Sequence, residues 1–301
     1  MKKKAVTLLF LLTALMLYAE SASGEAKPLL YQVTDQQGHV LYLLGTIHIG
    51  DEDMYPFSDA VENAYQKADI LAVEMDALAV QNDFARMMQY SAALMYTDGD
   101  TAQDHLSGDV YALGVERLGY PEAVLKRMRP VAWLSLAQEQ CYARIGQSAE
   151  LGMDMMLLKS AHEDGKTIHE LEGLESQMET MLNMPDEVVE FQLQQFLSYP
   201  EAADISMKLL SAAWRQGNEE IFSLLLAQEE VAMPPELEEA YAAYADNLLH
   251  SRDEMFQQKA EQYLKSGDTV LFAVGAAHIV GEDALADRLT QAGYTVTEIG
   301  R

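Results

Sequence analysis

Two histidines follow the same short pattern, Gly-x-x-His, at two distant points of the chain. The first is Gly45-Thr46-Ile47-His48, after the apolar residues 41–44, and the second is Gly275-Ala276-Ala277-His278, after residues 270–274. Imidazole nitrogens bind transition metals and exchange protons near neutral pH. A glycine after a strand lets the backbone turn tightly or approach a ligand closely, and we predict backbone turns at Gly45 and Gly275.

A carboxylate follows a third apolar run. Residues 70–73 end at Glu74, whereas Asp76 is interpreted as a solvated loop acid. In α/β sheets, ligands bind outside the carboxyl ends of the strands, where His48, Glu74 and His278 would meet. Two histidines and one carboxylate form the ligand set of a catalytic divalent-metal site. They are the predicted metal ligands, with Mn, Co and Zn not distinguished. The alternative is that each histidine is a hydrogen-bonded structural residue.

The single cysteine restricts this chemistry further. Cys141 has no second cysteine to pair with, so an intramolecular disulfide and every zinc site built on cysteines are excluded. Any metal must therefore be held by histidine and carboxylate side chains.

The strands that carry these residues come from the two ends of the chain. Residues 31–33 and 40–44 predict a β-hairpin, and residues 294–299 predict a last strand. Uninterrupted apolar runs such as 270–274 are typical of strands buried on both faces in a parallel or mixed sheet.

Helical periodicity replaces the strand pattern between the two ends, from about residue 78 to residue 265. Pro185 predicts the start of one helix, and Gly267 predicts the end of another that spans residues 235–265. The predicted fold is α/β, with a mixed, largely parallel sheet built from both chain ends. Residues 25–301 would form one domain, with the helical insertion packed beside the sheet.

The first residues have the pattern of a targeting segment. Three lysines at positions 2–4 precede the apolar residues 5–19, and small residues follow up to Gly24. We predict a signal peptide over residues 1–24, with an uncleaved membrane anchor as the alternative. No later run is long enough to span a bilayer, so we expect no stable membrane insertion after the signal is removed. The mature protein is expected to be extracytoplasmic, either secreted or periplasmic.

The charge of the chain limits its partners. Asp and Glu total 48 against 20 Lys and Arg, which gives a net charge of −28. Such a field repels phosphate backbones, which excludes nucleic-acid binding and disfavours docking to anionic membranes. The expected partner is a peptide or a small-molecule substrate.

Several motifs resemble those of the TraB/PrgY/GumN family, which is grouped with the Tiki metalloproteases, erythromycin esterases and ChaN-like proteins. The matching stretches are 43–48, 73–76, 273–281, Gly152-Met153-Asp154, Gly165-Lys166, Glu170-Leu171-Glu172 and Gln177. The resemblance extends over residues 29–301. It implies a compact α/β fold and, by analogy with the Tiki proteins, metal-dependent hydrolysis.

Arg252 also matches a family arginine, although Asp253 stands where the family usually has Asn. Arg252 lies on the apolar stripe of its predicted helix, so one interpretation is an arginine that reaches water from the edge of the core. The other is a guanidinium that faces the site and pairs with a carboxylate or a substrate oxyanion. Glu172 is a further candidate, with a solvated glutamate as the alternative.

The predicted function is a secreted hydrolase, divalent-metal-dependent, that acts on peptide or other amide or ester bonds. A metal would lower the pKa of a bound water, and Arg252 would stabilise the oxyanion. One alternative is a metal-independent hydrolase in which a histidine is the general base. Another is a non-catalytic protein that sequesters a peptide signal or a cofactor such as haem.

Overall fold

A computed structural model describes residues 26–299, except 232 and 282. The predicted signal peptide, residues 1–24, lies outside the described residues. Within the described part of the chain, no helix combines the length and the apolar character that crossing a bilayer requires.

A six-stranded sheet lies at the centre of the fold, in the order β4-β3-β5-β2-β1-β6. The strands are β1 (Leu30–Thr34), β2 (Val40–Thr46), β3 (Ile70–Val73), β4 (Thr167–Glu170), β5 (Val270–Gly275) and β6 (Thr295–Glu298). Strands β4, β3, β5 and β2 are parallel, whereas β1 is antiparallel to both β2 and β6. The prediction of a mixed, largely parallel sheet is confirmed.

Strand β5 lies between β2 and β3, and its register brings three chain segments to one edge. Ala273 is opposite Leu44 of β2 and Val73 of β3. Residues Val270 to Val274 are completely buried, as expected for an apolar strand covered on both faces. The residues that follow β2, β3 and β5 therefore meet at the carboxyl edge of the sheet.

Strand β4 lies inside the helical block, where the sequence analysis predicted no strand. Its sequence, Thr-Ile-His-Glu, contains one apolar residue, and three of its four residues are exposed. It pairs only with β3, at one edge of the sheet. A short edge strand has no buried face to produce an apolar run, which explains why it was missed.

Helices occupy most of the block between β3 and β5. The α-helices of the described chain are α1 (Asp59–Lys67), α2 (Ala77–Asn82), α3 (Phe84–Ala93), α4 (Ala102–His105), α5 (Gly108–Arg117), α6 (Glu122–Leu125), α7 (Pro130–Arg144), α8 (Met153–Asp164), α9 (Leu174–Leu182), α10 (Asp186–Ser198), α11 (Pro200–Arg215), α12 (Glu219–Val231), α13 (Glu238–Leu248), α14 (His250–Ser266) and α15 (Leu285–Gln291). Short 3₁₀ turns are formed by Glu52–Met54, Ala149–Leu151 and Ala276–His278.

The helix predicted over residues 235–265 is two helices, α13 and α14, which are separated at Leu249 (φ −117°, ψ −74°). No proline or glycine marks this break, so the sequence pattern continues across it. The predicted end at Gly267 is confirmed, since this glycine has a left-handed backbone (φ 83°). The break places Arg252 and Asp253 in the first turn of α14.

The buried apolar residues form two clusters. The larger one surrounds the sheet and includes residues from Ala26 to Leu289. The smaller one lies between helices of the block and consists of residues from Ala102 to Leu197, among them the fully buried Trp133. The sheet cluster therefore needs both ends of the chain, whereas the helical cluster does not.

Candidate functional site

The three predicted metal ligands meet beside Gly275. His48 follows β2, Glu74 follows β3, and His278 ends the 3₁₀ turn after β5. A Cβ atom on Gly275 would lie 3.4 Å from Glu74 Oε1, 3.8 Å from His278 Cδ2 and 3.9 Å from His48 Nε2. The missing side chain of Gly275 thus leaves a small space that all three residues border.

Neither glycine of the two motifs forms the predicted backbone turn. Gly45 lies inside β2, and Gly275 has φ −51°, which any residue can adopt. A Cβ on Gly45 would lie 3.2 Å from Ala276 Cα and 3.3 Å from Ala276 Cβ. Gly45 therefore lets the turn that carries His278 pack closely against β2, so close approach, not turning, is the reason for this glycine.

His48 is held by Asp154, in the first turn of α8. Its Nδ1 lies 2.9 Å from Asp154 Oδ2, and the Thr46 hydroxyl donates to the other oxygen of Asp154. The negative charge of Asp154 raises the pKa of His48 to about 9, against the opposing effect of desolvation. The free imidazole is therefore protonated at neutral pH.

The start of α8 packs against the His48 backbone because residue 152 is a glycine. A Cβ on Gly152 would lie only 2.3 Å from the carbonyl oxygen of His48. The Met153 amide donates to the Ile47 carbonyl at 2.9 Å. The Gly152-Met153-Asp154 motif therefore places the Asp154 carboxylate beside the His48 imidazole.

His278 is held by Asp253 in the same way, but in a buried setting. Its Nδ1 lies 2.7 Å from Asp253 Oδ1, and both residues are almost fully buried. The Phe256 ring packs edge-on against the imidazole, with ring centroids 5.0 Å apart. Asp253, whose role the sequence analysis left open, is thus the residue that orients His278.

Glu74 is a buried carboxylate that three donors surround. Its Oε1 accepts the Gly275 amide at 2.7 Å, and its Oε2 accepts Arg252 Nη2 at 2.5 Å and Gln177 Nε2 at 2.9 Å. Burial raises its pKa, but the positive charges of His278, His48 and Arg252, together with the Gly275 amide, outweigh burial and lower the pKa to about 2. Glu74 is therefore ionised at neutral pH.

Arg252 faces the site. Its Nε donates to Glu172 Oε1 at 2.6 Å, its Nη2 also contacts Glu172 Oε2 at 3.0 Å, and its Nη1 donates to the Leu248 carbonyl at 3.1 Å. The side chain of Glu172 is only 1% exposed. The interpretations of Arg252 as an arginine that reaches water and of Glu172 as a solvated glutamate are therefore wrong.

Three further residues contribute to this arrangement without a predicted role. Asp154 and Gln177 were part of the family resemblance, and Asp253 adjoins the family arginine, but their partners are far away in sequence.

Asp76 also differs from its prediction as a solvated loop acid. It is buried, accepts the Ala79 amide at the start of α2 and contacts His162 Nε2 at 2.8 Å.

The two histidines fit metal ligation better than Glu74 does. Each has its Nδ1 against a carboxylate, which leaves Nε2 as the ligating atom, and this is the usual environment of metal-bound histidines. Both oxygens of Glu74 already accept hydrogen bonds. Within the described residues, no three His, Cys, Asp or Glu side chains are arranged to hold a metal ion. Metal ligation by this trio therefore stays a prediction.

Comparisons with known proteins identify relatives. The model of the TraB/PrgY/gumN family matches residues 29–298. Two similar proteins, from Escherichia coli (strain K12) and Shigella flexneri, both carry the name uncharacterized protein YbaP. Each is 25% identical over 250 residues, which cover 82% of this chain and 87% of the relative. No solved structure matches this chain.

Proposed function

The chain belongs to the TraB/PrgY/gumN family, and from this membership and its site we propose that it is a metal-dependent hydrolase of peptide or other amide or ester bonds. The observation that carries the proposal is the pair of strand-end histidines. Each is fixed at Nδ1 by a carboxylate, and His48 Nε2 and the ring of His278 border the same space beside Gly275.

His48 and His278 are the residues that would hold a divalent metal, with Glu74 as the third predicted ligand. When bound, such a metal supplies a nucleophilic water by lowering the pKa of that water. Asp154 and Asp253 would accept the Nδ1 proton of each imidazole, which leaves Nε2 for ligation once the extra proton of His48 has been lost.

Arg252 positions Glu74 in this scheme. All three of its guanidinium nitrogens already donate to Glu74, Glu172 or the Leu248 carbonyl. The guanidinium and Gln177 hold the carboxylate in place, and the positive charge of Arg252 helps to keep it ionised. We therefore assign Arg252 a positioning role instead of the predicted stabilisation of an oxyanion.

A metal-independent hydrolase is the second candidate, favoured by the three hydrogen bonds that occupy Glu74. Protonated His48, whose side chain is 71% exposed, would donate a proton to the leaving group. His278, oriented by Asp253, would accept a proton from the attacking water.

Metal analysis and turnover separate the two candidates. The purified full chain would be assayed for bound metal and for cleavage of a quenched-peptide library, with and without chelator and after addition of Mn, Co or Zn. We expect about one metal per chain and turnover that a chelator abolishes. Turnover that survives complete metal removal would support the second candidate instead.

Variants of the three site residues connect the activity to this site. His48→Ala, His278→Ala and Glu74→Gln should each lower metal affinity and turnover at least 10-fold, roughly the effect of disturbing a metal environment. His39→Ala is the control, because His39 lies at the opposite end of β2 and contacts Asp35. Equal activity in all four variants would contradict both candidates.

We further propose that the protein works outside the cytoplasm. The support is the lysine-rich and apolar start of the sequence, residues 2–19. Cell fractionation, with mass spectrometry of the mature N-terminus, should find a chain that begins near residue 25. An intact N-terminus in the cytoplasmic fraction would overturn this proposal.

A further inference from the structure

A cavity of about 600 Å³ lies between helices α7, α10, α11, α12 and α13. Its volume is within the range of ligand pockets, roughly 300–1,000 Å³. Aromatic and methionine side chains make up much of its wall, among them Phe191, Phe196, Tyr244, Met184 and Met207. Methionine is flexible and polarisable, and surfaces rich in it bind apolar groups of different shapes.

The described part of the cavity wall carries no charged side chain. Among the residues that the structure describes, none that lines the cavity is Asp, Glu, Lys, Arg or His, although the chain has 48 acidic and 20 basic residues. The polar groups in the wall include the amides of Gln138, Gln192 and Gln195 and the hydroxyl of Ser206. Amide side chains both donate and accept hydrogen bonds, as a peptide backbone requires, whereas a hydrocarbon chain cannot use them.

Two elements connect this cavity to the catalytic site. Leu248 lines the cavity, and its carbonyl accepts a hydrogen bond from Arg252, which contacts Glu74. In α11, Leu210 lines the cavity, and four residues later Trp214 donates to the Gly45 carbonyl at 2.8 Å. Burial raises the pKa of Tyr244 in the cavity wall, and the positive charge of Arg252 partly offsets this rise.

We propose that this cavity binds an uncharged, apolar segment of a peptide substrate next to the bond that the site cleaves. The cleavage part rests on the proposed function, whereas the binding part does not. A charged segment would lose its hydration in the cavity and find no partner of opposite charge among the described lining residues. The described wall therefore favours an uncharged segment over a charged one.

Binding is measured by fluorescence polarisation with two labelled octapeptides that have blocked ends. One contains Leu, Phe and Met at its centre, and in the other Asp and Lys replace these three. The protein is full-length His48→Ala, so that hydrolysis does not consume the probe. We expect the apolar peptide to bind at least 10-fold more tightly than the charged one, as truncated contacts in a binding pocket commonly show.

Ala203→Trp fills the cavity, and Ala243→Trp is the matched control, since Ala243 is exposed on α13 and does not line the cavity. The first variant should weaken apolar-peptide binding at least 10-fold, and the second should leave it unchanged. Circular dichroism confirms that both fold. Met207→Gln provides a second, milder test and should weaken binding severalfold.

Three results would overturn the inference. They are equal binding of the two peptides, binding that Ala203→Trp does not change, and a fluorescent fatty acid that binds more tightly and displaces the peptide. A change in oligomeric state caused by Ala203→Trp would show that a second copy of the chain occupies the cavity, which also contradicts it. Absence of turnover in the wild type, with apolar binding intact, would contradict only the proposed function.

Discussion

The two site histidines differ in exposure, although a carboxylate holds each of them. The side chain of His48 is 71% exposed, whereas that of His278 is 4% exposed. The site is therefore open to solvent at His48 and closed to solvent at His278. The asymmetry also means that Asp253 is needed for folding as well as orientation, because an unpaired buried carboxylate or imidazole is costly.

The pKa of His48 provides a direct test of its pairing with Asp154. In the metal-free protein, NMR titration should give a pKa of about 9, and Asp154→Asn should return it towards 6.5. Because the folded pKa is raised, the pair stabilises the fold fully below pH 6.5 and loses this effect as the pH rises through 9. The stabilisation is small, since water screens an exposed pair.

Asp109→Asn serves as the control for this titration, because Asp109 is an exposed residue in the first turn of α5. An unchanged His48 pKa in Asp154→Asn would contradict the pairing.

Gly275→Ala tests whether the space beside Gly275 is needed for ligand binding but not for the stability of the fold. The added methyl would make ordinary van der Waals contacts, 3.4 Å or longer, at a backbone angle that alanine adopts freely. We expect the melting temperature to change little and metal affinity or turnover to fall at least 10-fold, since the methyl occupies the space between the three residues. Calorimetry and turnover assays measure the two effects.

Gly108→Ala is the matched control, because nothing lies within 4 Å of its added methyl. Full activity of Gly275→Ala would show that the space beside this residue is not where ligands bind.

At the scale of elements, Arg252 links the start of α14 to β3 and to the segment after β4. The Arg252 side chain is 12% exposed and contacts both Glu74 and Glu172. The break at Leu249 gives α14 a separate start, which brings Arg252 and Asp253 to the sheet edge together. The element that positions the site is therefore the first turn of α14.

Arg252→Ala should destabilise the protein by about 3–5 kcal/mol, because it leaves two buried carboxylates without their cation. Urea unfolding measures the free energy. Combining it with Glu172→Gln should recover part of the loss, since one uncompensated charge is removed. Lys265→Ala, which breaks an exposed pair with Glu261, should cost less than about 1 kcal/mol. Equal losses in the two single variants would contradict a buried network.

The sequence predicted the elements that carry strong apolar patterns and missed those that do not. Strands β2, β3 and β5 were predicted because burial on both faces requires continuous apolar runs. The edge strand β4 and the break at Leu249 leave no such pattern. The roles of Asp154 and Asp253 depend on contacts across 106 and 25 residues, which a single sequence does not encode as a local signal.

For the whole molecule, the two apolar clusters differ in what they require. The sheet cluster contains residues from both ends of the chain, whereas the helical cluster lies within residues 102–197. Strand β5 is the central member of the sheet cluster and pairs with both β2 and β3. The site at its end is therefore only as stable as the sheet.

Deleting residues 268–301 should abolish the cooperative unfolding of the sheet, because β2 and β3 lose the strand between them. Part of the helical signal should persist, since the helical cluster is intact. Far- and near-ultraviolet circular dichroism during urea unfolding measures both. Deleting only residues 293–301 removes the edge strand β6 and should leave a weakened but cooperative fold. A native-like product of the longer deletion would contradict this role of β5.

The central position of β5 also sets the order of events during synthesis. A ribosome completes β3 at Val73 and reaches Val270 of β5 almost 200 residues later. At roughly 5–20 residues per second, β2 and β3 wait about 10–40 s for the strand that joins them. During this time their unpaired edges can bind other chains, and His278 does not yet exist. The growing chain is thus exposed to aggregation during this interval, and the candidate site cannot assemble until translation is nearly complete.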